Sequence, residues 1–399
     1  MEYTYKAFGE EELTYLREVI ESQELWRGTS GNFVARLEDA FAEYTGRKYV
    51  HATASGGCAN EAALVAVGVE PGDEVICTPC SYIASSISAL AVGAIPVFAD
   101  VDPCNLHITA EGIEAAITPR TKAVMIVHLS GVACDMDPIV ALCRKRGLKL
   151  IEDCAQAYSV FYHGKMCGTF GDAACFSMQY SKHITSGEGG LLVTDDPEGY
   201  KRAEVYCNCG MPWYRYGLEW DTAEPVGGIL RRGHFALGRS FRLSELHGAV
   251  ALAQLEKLPK LNARRAEMAA IIEDELAGVE GIRLAKNYPD SQPNYWNYPL
   301  FSEKRTTTEL SAIAQKKCGG GVPQYSEVNY IEEVYRKMNA DRRTSVGTPL
   351  PDYVRYELGI CPNAEYGAQR LMPIFTHPVL TNMDDLRATV GRIRAAAEG

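Results

Sequence analysis

The chain has 399 residues, of which 46% are hydrophobic and 23% charged, as in a folded globular protein and unlike a disordered or fibrous one. Its 40 Lys and Arg residues against 51 Asp and Glu give a net charge of −11, and no basic block stands out. We therefore do not expect nucleic acid or anionic membrane surfaces as partners. A chain of this length favours one large domain and one smaller domain.

No segment reads as an export signal or a membrane span. The apolar run 85–99 is too short to cross a bilayer, and the N-terminus has neither a basic region nor an apolar core. We therefore expect a cytoplasmic protein, whose thirteen cysteines are buried thiols rather than disulfides.

The first half of the chain alternates short β-branched runs with helical patterns, which predicts a parallel sheet with helices on both faces. The predicted strands are 49–53, 74–78, 95–98, 123–128 and 149–153. The predicted helices between them are 60–67, 83–92, 110–117 and 138–146. Two further apolar segments, 173–178 and 190–193, predict an antiparallel pair.

The periodic pattern stops at 211–240, an aromatic and Arg-rich stretch that is either a functional loop or a disordered insertion. It returns at 243–258, where the apolar residues have the spacing of a helix with one buried stripe. We expect this helix to link a large domain, 1–250 with an N-terminal helical segment, to a small C-terminal domain, 251–399.

Three segments carry residues of chemical interest. Asp153 ends a predicted strand, where a buried carboxylate needs a cation or a proton donor, unless it only caps the next helix. Gly56 and Gly57 lie between a strand and a helix, where they either cradle a phosphate or only form a tight turn. Lys182 follows Ser177 on a polar, Gly-rich turn. There it is either a nucleophilic amine inside a cleft or an ordinary surface charge.

One cofactor needs an acid, an anion cradle and a lysine together. Pyridoxal phosphate (PLP) carries a phosphate, a pyridine nitrogen that must stay protonated, and an aldehyde that forms a Schiff base with a lysine. Asp153 would hold the pyridinium proton, Gly56 and Gly57 the phosphate, and Lys182 the imine. The absence of GxGxxG and GxxxxGK[ST] motifs disfavours a dinucleotide or a nucleoside triphosphate.

Residues 24–258 resemble the DegT/StrS-type sugar aminotransferases, a branch of the fold-type-I PLP enzymes. The matching motifs include PGDEVICTP, GAIPVFADVDP, IEDCAQAYS, GTFGDAACFS, SKHITSGEGGLLVTDD and FRLSELHGAVALAQLEKL. The resemblance implies an α/β fold, with a large domain built on a mostly parallel mixed sheet and a smaller C-terminal α+β domain.

The resemblance also implies roles for single residues. Lys182 corresponds to the Schiff-base lysine, Asp153 to the partner of the pyridine nitrogen, and Gln156 to the residue beside the phenolic oxygen. Tyr82 corresponds to the aromatic residue stacked on the cofactor ring. The phosphate ligands are expected at Ser177, Gly56, Gly57 and, across a subunit interface, Ser240.

Several positions depart from the family pattern. Gly56-Gly57 replaces a common Gly-Thr, His183 follows the lysine where Asn is usual, and Ser240 replaces a phosphate-binding Asn. We considered His183 either a substrate or phosphate contact or a packed core histidine. Arg231, Arg232 and Arg239 either grip a diphosphate or a donor carboxylate or simply solvate a loop.

The implied activity is transfer of an amino group from glutamate or glutamine to a keto-sugar, nucleotide-linked or not, or to a keto-cyclitol, as in aminocyclitol and antibiotic biosynthesis. Pyridoxamine phosphate would be the intermediate form of the cofactor, and a homodimer with shared active sites the assembly. A PLP-dependent sugar dehydratase, which tends to lack the lysine, and a non-catalytic regulator remain alternatives. No metal site is expected, because Cys77 and Cys80 have no second pair at zinc-site spacing.

Overall fold

The computed structural model describes residues 6–27 and 32–399. Within these ranges no helix has both the length and the apolar composition that a membrane span requires. The first five residues, part of the N-terminus interpreted above, lie outside the described residues.

A seven-stranded sheet forms the centre of the large part of the molecule. Strand β9 is antiparallel to both of its neighbours, β1 and β8, whereas the other neighbouring pairs are parallel. This confirms the predicted mixed, mostly parallel sheet. Its order is β1 (Tyr49–Thr53), β9 (Gly190–Thr194), β8 (Ala173–Ser177), β5 (Lys149–Asp153), β4 (Thr121–Val127), β2 (Glu74–Cys77) and β3 (Ile95–Phe98), and a small hairpin, β6 (Phe161–Tyr162) with β7 (Lys165–Met166), lies outside it.

Helices pack on both faces of this sheet, because successive strand residues point to opposite sides. On β4, Val124 and Ile126 join one buried cluster, whereas Ala123 and Met125 join another. The helices up to the end of the sheet are α1 (Glu10–Ser22), α2 (Phe33–Thr45), α3 (Gly56–Ala66), α4 (Ala84–Ala91), α5 (Ala110–Ala116), α6 (Met136–Arg146) and α7 (Pro197–Cys207).

Helix α3 begins four residues before the predicted start at 60, and this difference matters for the site. The Ser55 side chain accepts a hydrogen bond from the backbone N–H of Cys58 at 3.1 Å, which caps the helix. Gly56 and Gly57 therefore form the first turn of the helix rather than a separate loop.

A second, three-stranded antiparallel sheet lies in the C-terminal part. Its strands are β10 (Ile282–Arg283), β11 (Asn297–Ser302) and β12 (Leu371–Phe375), and the helices of this part are α8 (Glu245–Leu276), α9 (Thr307–Cys318), α10 (Glu333–Asp341), α11 (Pro362–Ala368) and α12 (Met383–Ala397). The predicted helix 243–258 corresponds to the first part of α8, which begins two residues later, at Glu245, and continues past Pro259.

The two parts of the chain share elements. Helix α8 passes through residue 250 without a break, and residues such as Val328, Tyr330 and Leu371 pack in a cluster with core residues of the large sheet. The division at 250/251 therefore stays a prediction.

Candidate active site

A cavity of about 530 Å³ lies at the carboxyl ends of β1, β5 and β8. These three strands run in the same direction, so the turns that follow them meet at one edge of the sheet. The cavity brings together seven of the residues singled out in the sequence, which are Gly56, Gly57, Tyr82, Asp153, Gln156, Ser177 and Lys182.

Asp153 places a buried carboxylate in the cavity wall. Its Oδ2 accepts a hydrogen bond from Nδ2 of Asn60 at 2.9 Å, and its Oδ1 accepts one from the backbone N–H of Ala155 at 2.9 Å. Burial raises the pKa of the carboxyl group, although these bonds and the nearby Lys182 ammonium favour its charged form. A carboxylate in this state stabilises a proton held by a neighbouring base.

Lys182 is half-buried at the cavity wall, and its Nζ lies 4.0 Å from the centre of the Trp296 ring. The indole N–H of Trp296 donates to the carbonyl of Ser181 at 2.7 Å, which fixes the ring. Burial lowers the pKa of Lys182 to about 8, against the opposing effect of the Asp153 and Glu327 carboxylates. A far larger fraction of the amine is thus unprotonated near neutral pH than in an ordinary lysine.

The start of α3 and the end of β8 form a close contact suited to an anion. A Cβ atom at Gly56 would lie 2.7 Å from Cβ and 2.9 Å from Oγ of Ser177. Only glycine therefore fits here, with the backbone N–H groups of the first helical turn and the Ser177 hydroxyl beside one another. Free N–H groups at a helix N-terminus bind phosphate.

Gln156 and Tyr82 complete the predicted wall. Oε1 of Gln156 accepts a hydrogen bond from the backbone N–H of Ser130 at 2.6 Å, so the side-chain amide is held in one orientation. Tyr82 lines the same cavity with 63% of its surface exposed. Its stacking on a cofactor ring stays a prediction.

Four predicted residues do not line this cavity. His183 is buried away from it, with Nε2 at 2.6 Å from the carbonyl oxygen of Asn294. The expected contact between His183 and substrate is thus corrected, because the side chain serves packing on the far side of the Lys182 turn. Arg231, Arg239 and Ser240 are exposed on the 211–240 segment, so no direct role in the cavity of their own chain is supported.

Several residues that line the cavity were not predicted from the sequence, and three of them bear on its chemistry. Asn60 lies one helical turn beyond Gly56, and this spacing after a strand end was the available signal. Trp296 directly precedes β11, and Glu327 lies on a loop further along the chain. Both are more than 100 residues downstream of Lys182, so no local sequence pattern connects them to it.

Behind the cavity, β5 carries a second acid that points the other way. Glu152 accepts backbone hydrogen bonds from Gly168 and Gly171 at 2.7 Å each and lies 3.1 Å from Nε2 of His128. With Cys154 these side chains form the one group of potential metal ligands among the described residues. The Glu152 oxygens already accept these bonds, so the group stabilises the turn after β5.

The residues of the cavity fit PLP. Gly56, Gly57 and Ser177 would hold its phosphate, Asp153 its pyridine nitrogen, and Lys182 its aldehyde. Gln156, which the resemblance places beside the phenolic oxygen, lines the same cavity. The steric exclusion of any side chain at position 56 is the observation that supports a phosphate there.

Comparisons with known proteins identify the family of this chain. The model of the DegT/DnrJ/EryC1/StrS aminotransferase family matches residues 6–348. GDP-perosamine synthase of Caulobacter vibrioides is 39% identical over 292 residues, 72% of this chain and 74% of the relative. L-glutamine:2-deoxy-scyllo-inosose aminotransferase of Streptomyces lividus is 34% identical over 361 residues, covering 88% and 83%. Protein MosB of Rhizobium meliloti is 35% identical over 263 residues, 66% of this chain, and the match spans about half of MosB, 52%.

A solved structure extends the likeness to the fold. S. venezuelae DesV, crystallised with a ketimine intermediate, superimposes with a TM-score of 0.80 at 29% identity over 98% of this chain and 95% of DesV. This confirms the fold-type-I architecture and the PLP-dependent chemistry predicted from the sequence. The chain belongs to the DegT/DnrJ/EryC1/StrS family and is a PLP-dependent sugar aminotransferase.

Proposed function

We propose that this aminotransferase moves the amino group of glutamate or glutamine to the ketone of a hydroxylated six-membered ring, either a sugar or a cyclitol. The observation that carries the proposal is the meeting of Lys182, Asp153 and the Gly56–Ser177 contact in one cavity. Support for the acceptor class comes from the names of two relatives, one a synthase of an amino sugar and one an inosose aminotransferase.

Lys182 supplies the proton transfers of both half-reactions. Bound PLP supplies a protonated ring that withdraws electrons from the substrate carbon. With its pKa lowered to about 8, the Lys182 amine would take the proton from that carbon, hold it, and return it later in the same half-reaction. The same amine reverses these steps when the ketone accepts nitrogen, so the reaction follows ping-pong kinetics.

Asp153 maintains the charge that makes these transfers possible at neutral pH. Its carboxylate holds the pyridine proton from within the wall, while Asn60 and the Ala155 N–H keep it ionised and oriented. Because the site is buried, this charge interaction is stronger than it would be in water.

The proposed assembly is a homodimer in which the 211–240 segment reaches the partner's cavity. Its support is the exposure of large apolar side chains on this segment, with Leu230 at 84% and Leu237 at 90%. Large apolar side chains left exposed in a single chain are typical of protein interfaces. In this assembly Ser240, Arg231 and Arg239 would contact the phosphate and the substrate from across the interface. The cytoplasmic location stays a prediction.

A substrate panel tests the proposed function. Purified enzyme loaded with PLP is incubated with inososes and with nucleotide-linked 4-keto and 3-keto hexoses, each with 15N-labelled glutamate or glutamine, and products are identified by mass. The expected result is a labelled amine from at least one hydroxylated ketone. Loss of oxygen without gain of nitrogen would instead assign a dehydratase, and no turnover of any ketone would contradict the proposal.

A further inference from the structure

Glu327 stands in the cavity wall on a loop that the structure fixes firmly. The neighbouring Val328 pairs with Cys80 in an antiparallel bridge, and the backbone N–H of Asn329 donates to the carbonyl of Pro79 at 2.8 Å. The Asn329 side-chain amide also donates to Oγ of Ser86 at 3.1 Å. These bonds tie the loop to the turn between β2 and α4, so Glu327 has a defined position.

The Glu327 carboxyl group is half-buried and has no hydrogen bond or ion pair with any residue that the structure describes. Burial raises its pKa, and the positive charge of Lys182 partly opposes this change. A carboxylate removed from water without a donor is unfavourable, so a ligand that supplies a donor would stabilise it.

The charges of the cavity indicate which kind of donor this is. Within one chain, Lys182 is the single basic side chain among the described residues lining the cavity, whereas Asp153, Glu188 and Glu327 are acidic. A phosphate or a carboxylate next to Glu327 would be repelled. A hydroxyl group is neutral and donates a strong hydrogen bond to an ionised carboxylate.

The position of Glu327 relative to Lys182 limits which hydroxyl it can reach. Both side chains line the same cavity of about 530 Å³. The Lys182 amine must reach the reacting carbon of the ketone. A group that meets Glu327 therefore belongs to the same ring as that carbon, and a hydroxyl on a neighbouring carbon is the nearest donor that the ring offers.

We propose that Glu327 determines acceptor specificity by accepting a hydrogen bond from a hydroxyl on a carbon next to the reacting carbonyl. This inference rests on the proposed function, because it names the part of the acceptor that the same cavity recognises. Ketones that lack this hydroxyl leave Glu327 without a partner and are poor acceptors.

The test compares two acceptors and four proteins. The acceptors are scyllo-inosose and its 2,6-dideoxy analogue, which lacks both hydroxyls that flank the carbonyl. If the panel above identifies another ketone as the accepted substrate, that ketone and its analogue without flanking hydroxyls take their place. The proteins are the wild type, Glu327→Ala and Glu327→Gln, each as the PLP-loaded holoenzyme, with Glu332→Ala as a control because Glu332 is exposed outside the cavity.

With the hydroxylated acceptor, Glu327→Ala is expected to lower kcat/KM on the order of 10-fold to 100-fold, and Glu327→Gln less. With the dideoxy analogue the same substitutions should change kcat/KM little, because the interaction is already absent. The rate of the donor half-reaction, followed by PLP absorbance, should fall less in both variants than kcat/KM for the hydroxylated acceptor, because Glu327 affects that step only through its charge near Lys182.

Two results would overturn the assignment. Equal losses with both acceptors, or a matching loss in the donor half-reaction, would mean that Glu327 acts on Lys182 instead of on the hydroxyl. An unchanged kcat/KM with the hydroxylated acceptor would remove any role in recognition. If the wild type aminates no hydroxylated ketone, the proposed function itself fails. If the wild type aminates such a ketone but the Glu327 variants give either of the two results above, only the Glu327 assignment fails.

Discussion

The Nζ atom of Lys182 lies 4.0 Å from the centre of the Trp296 ring, although the two residues are more than 100 positions apart. The ring face attracts the ammonium form. Burial disfavours that form and is the main cause of the lowered pKa of Lys182. The turn that carries Lys182 is further held by Arg265, whose guanidinium donates to the Lys182 carbonyl at 3.2 Å.

Replacing Lys182 by Ala should abolish amine transfer and the visible absorbance of lysine-bound PLP. The loss follows because no other lysine lines the described cavity. Borohydride reduction followed by peptide mass analysis should find the PLP adduct at position 182 in the wild type only. Lys145→Ala, at an exposed position on α6, is the control and should keep both signals. An adduct at another lysine would contradict this assignment.

Replacing Asp153 by Ala should lower the rate of both half-reactions by roughly 100-fold or more, because the pyridine proton loses its buried carboxylate. PLP should still bind, since the phosphate contacts at Gly56, Gly57 and Ser177 remain. Stopped-flow absorbance measures the rates, and equilibrium dialysis measures the retained cofactor. An unchanged rate in this variant would remove the proposed role of Asp153.

Replacing Gly56 by Ala should weaken PLP binding by about tenfold or more, because the new Cβ would lie 2.7 Å from Cβ of Ser177. The control is Gly391→Ala on α12, where a Cβ meets no atom within 4 Å. In that helix the substitution should instead raise stability by about 1 kcal/mol. Titration of the apoenzyme with PLP gives the affinities, and equal affinities in the two variants would argue against a phosphate at Gly56.

The rate at which the apoenzyme captures PLP should depend on the protonation of Lys182. Only the neutral amine attacks the aldehyde, and the Lys182 pKa is about 8. The second-order rate constant should therefore rise with pH through neutrality and level off above pH 8. A rise that continues to about pH 10, the midpoint of an ordinary lysine, would show that burial does not lower this pKa.

Replacing Leu237 by Asp should dissociate the proposed homodimer, because a charge would replace an apolar side chain that is 90% exposed in the single chain. Activity should fall with dissociation if Ser240 and the nearby arginines act across the interface. Leu358→Asp, at a position 70% exposed outside this segment, should leave both unchanged. Sedimentation velocity at assay concentrations measures the assembly, and a fully active wild-type monomer would contradict this prediction.

The strands of the large sheet and the residues that follow them could be predicted from the sequence, whereas the small hairpin and the C-terminal sheet were not predicted. Strand β5 was predicted at its observed ends, and from this the place of Asp153 at the ligand edge of the sheet followed. Such predictions succeed because strand periodicity, turn residues and the chemistry of a strand end are local properties of the chain.

Only the tertiary structure decided what surrounds these residues. His183 is adjacent to Lys182 in sequence, yet it faces Asn294 and not the cavity. Trp296 and Glu327 reach the cavity from distant parts of the chain. Burial, side-chain direction and contacts between distant segments arise from the packing of whole elements against one another, and no short stretch of sequence encodes them.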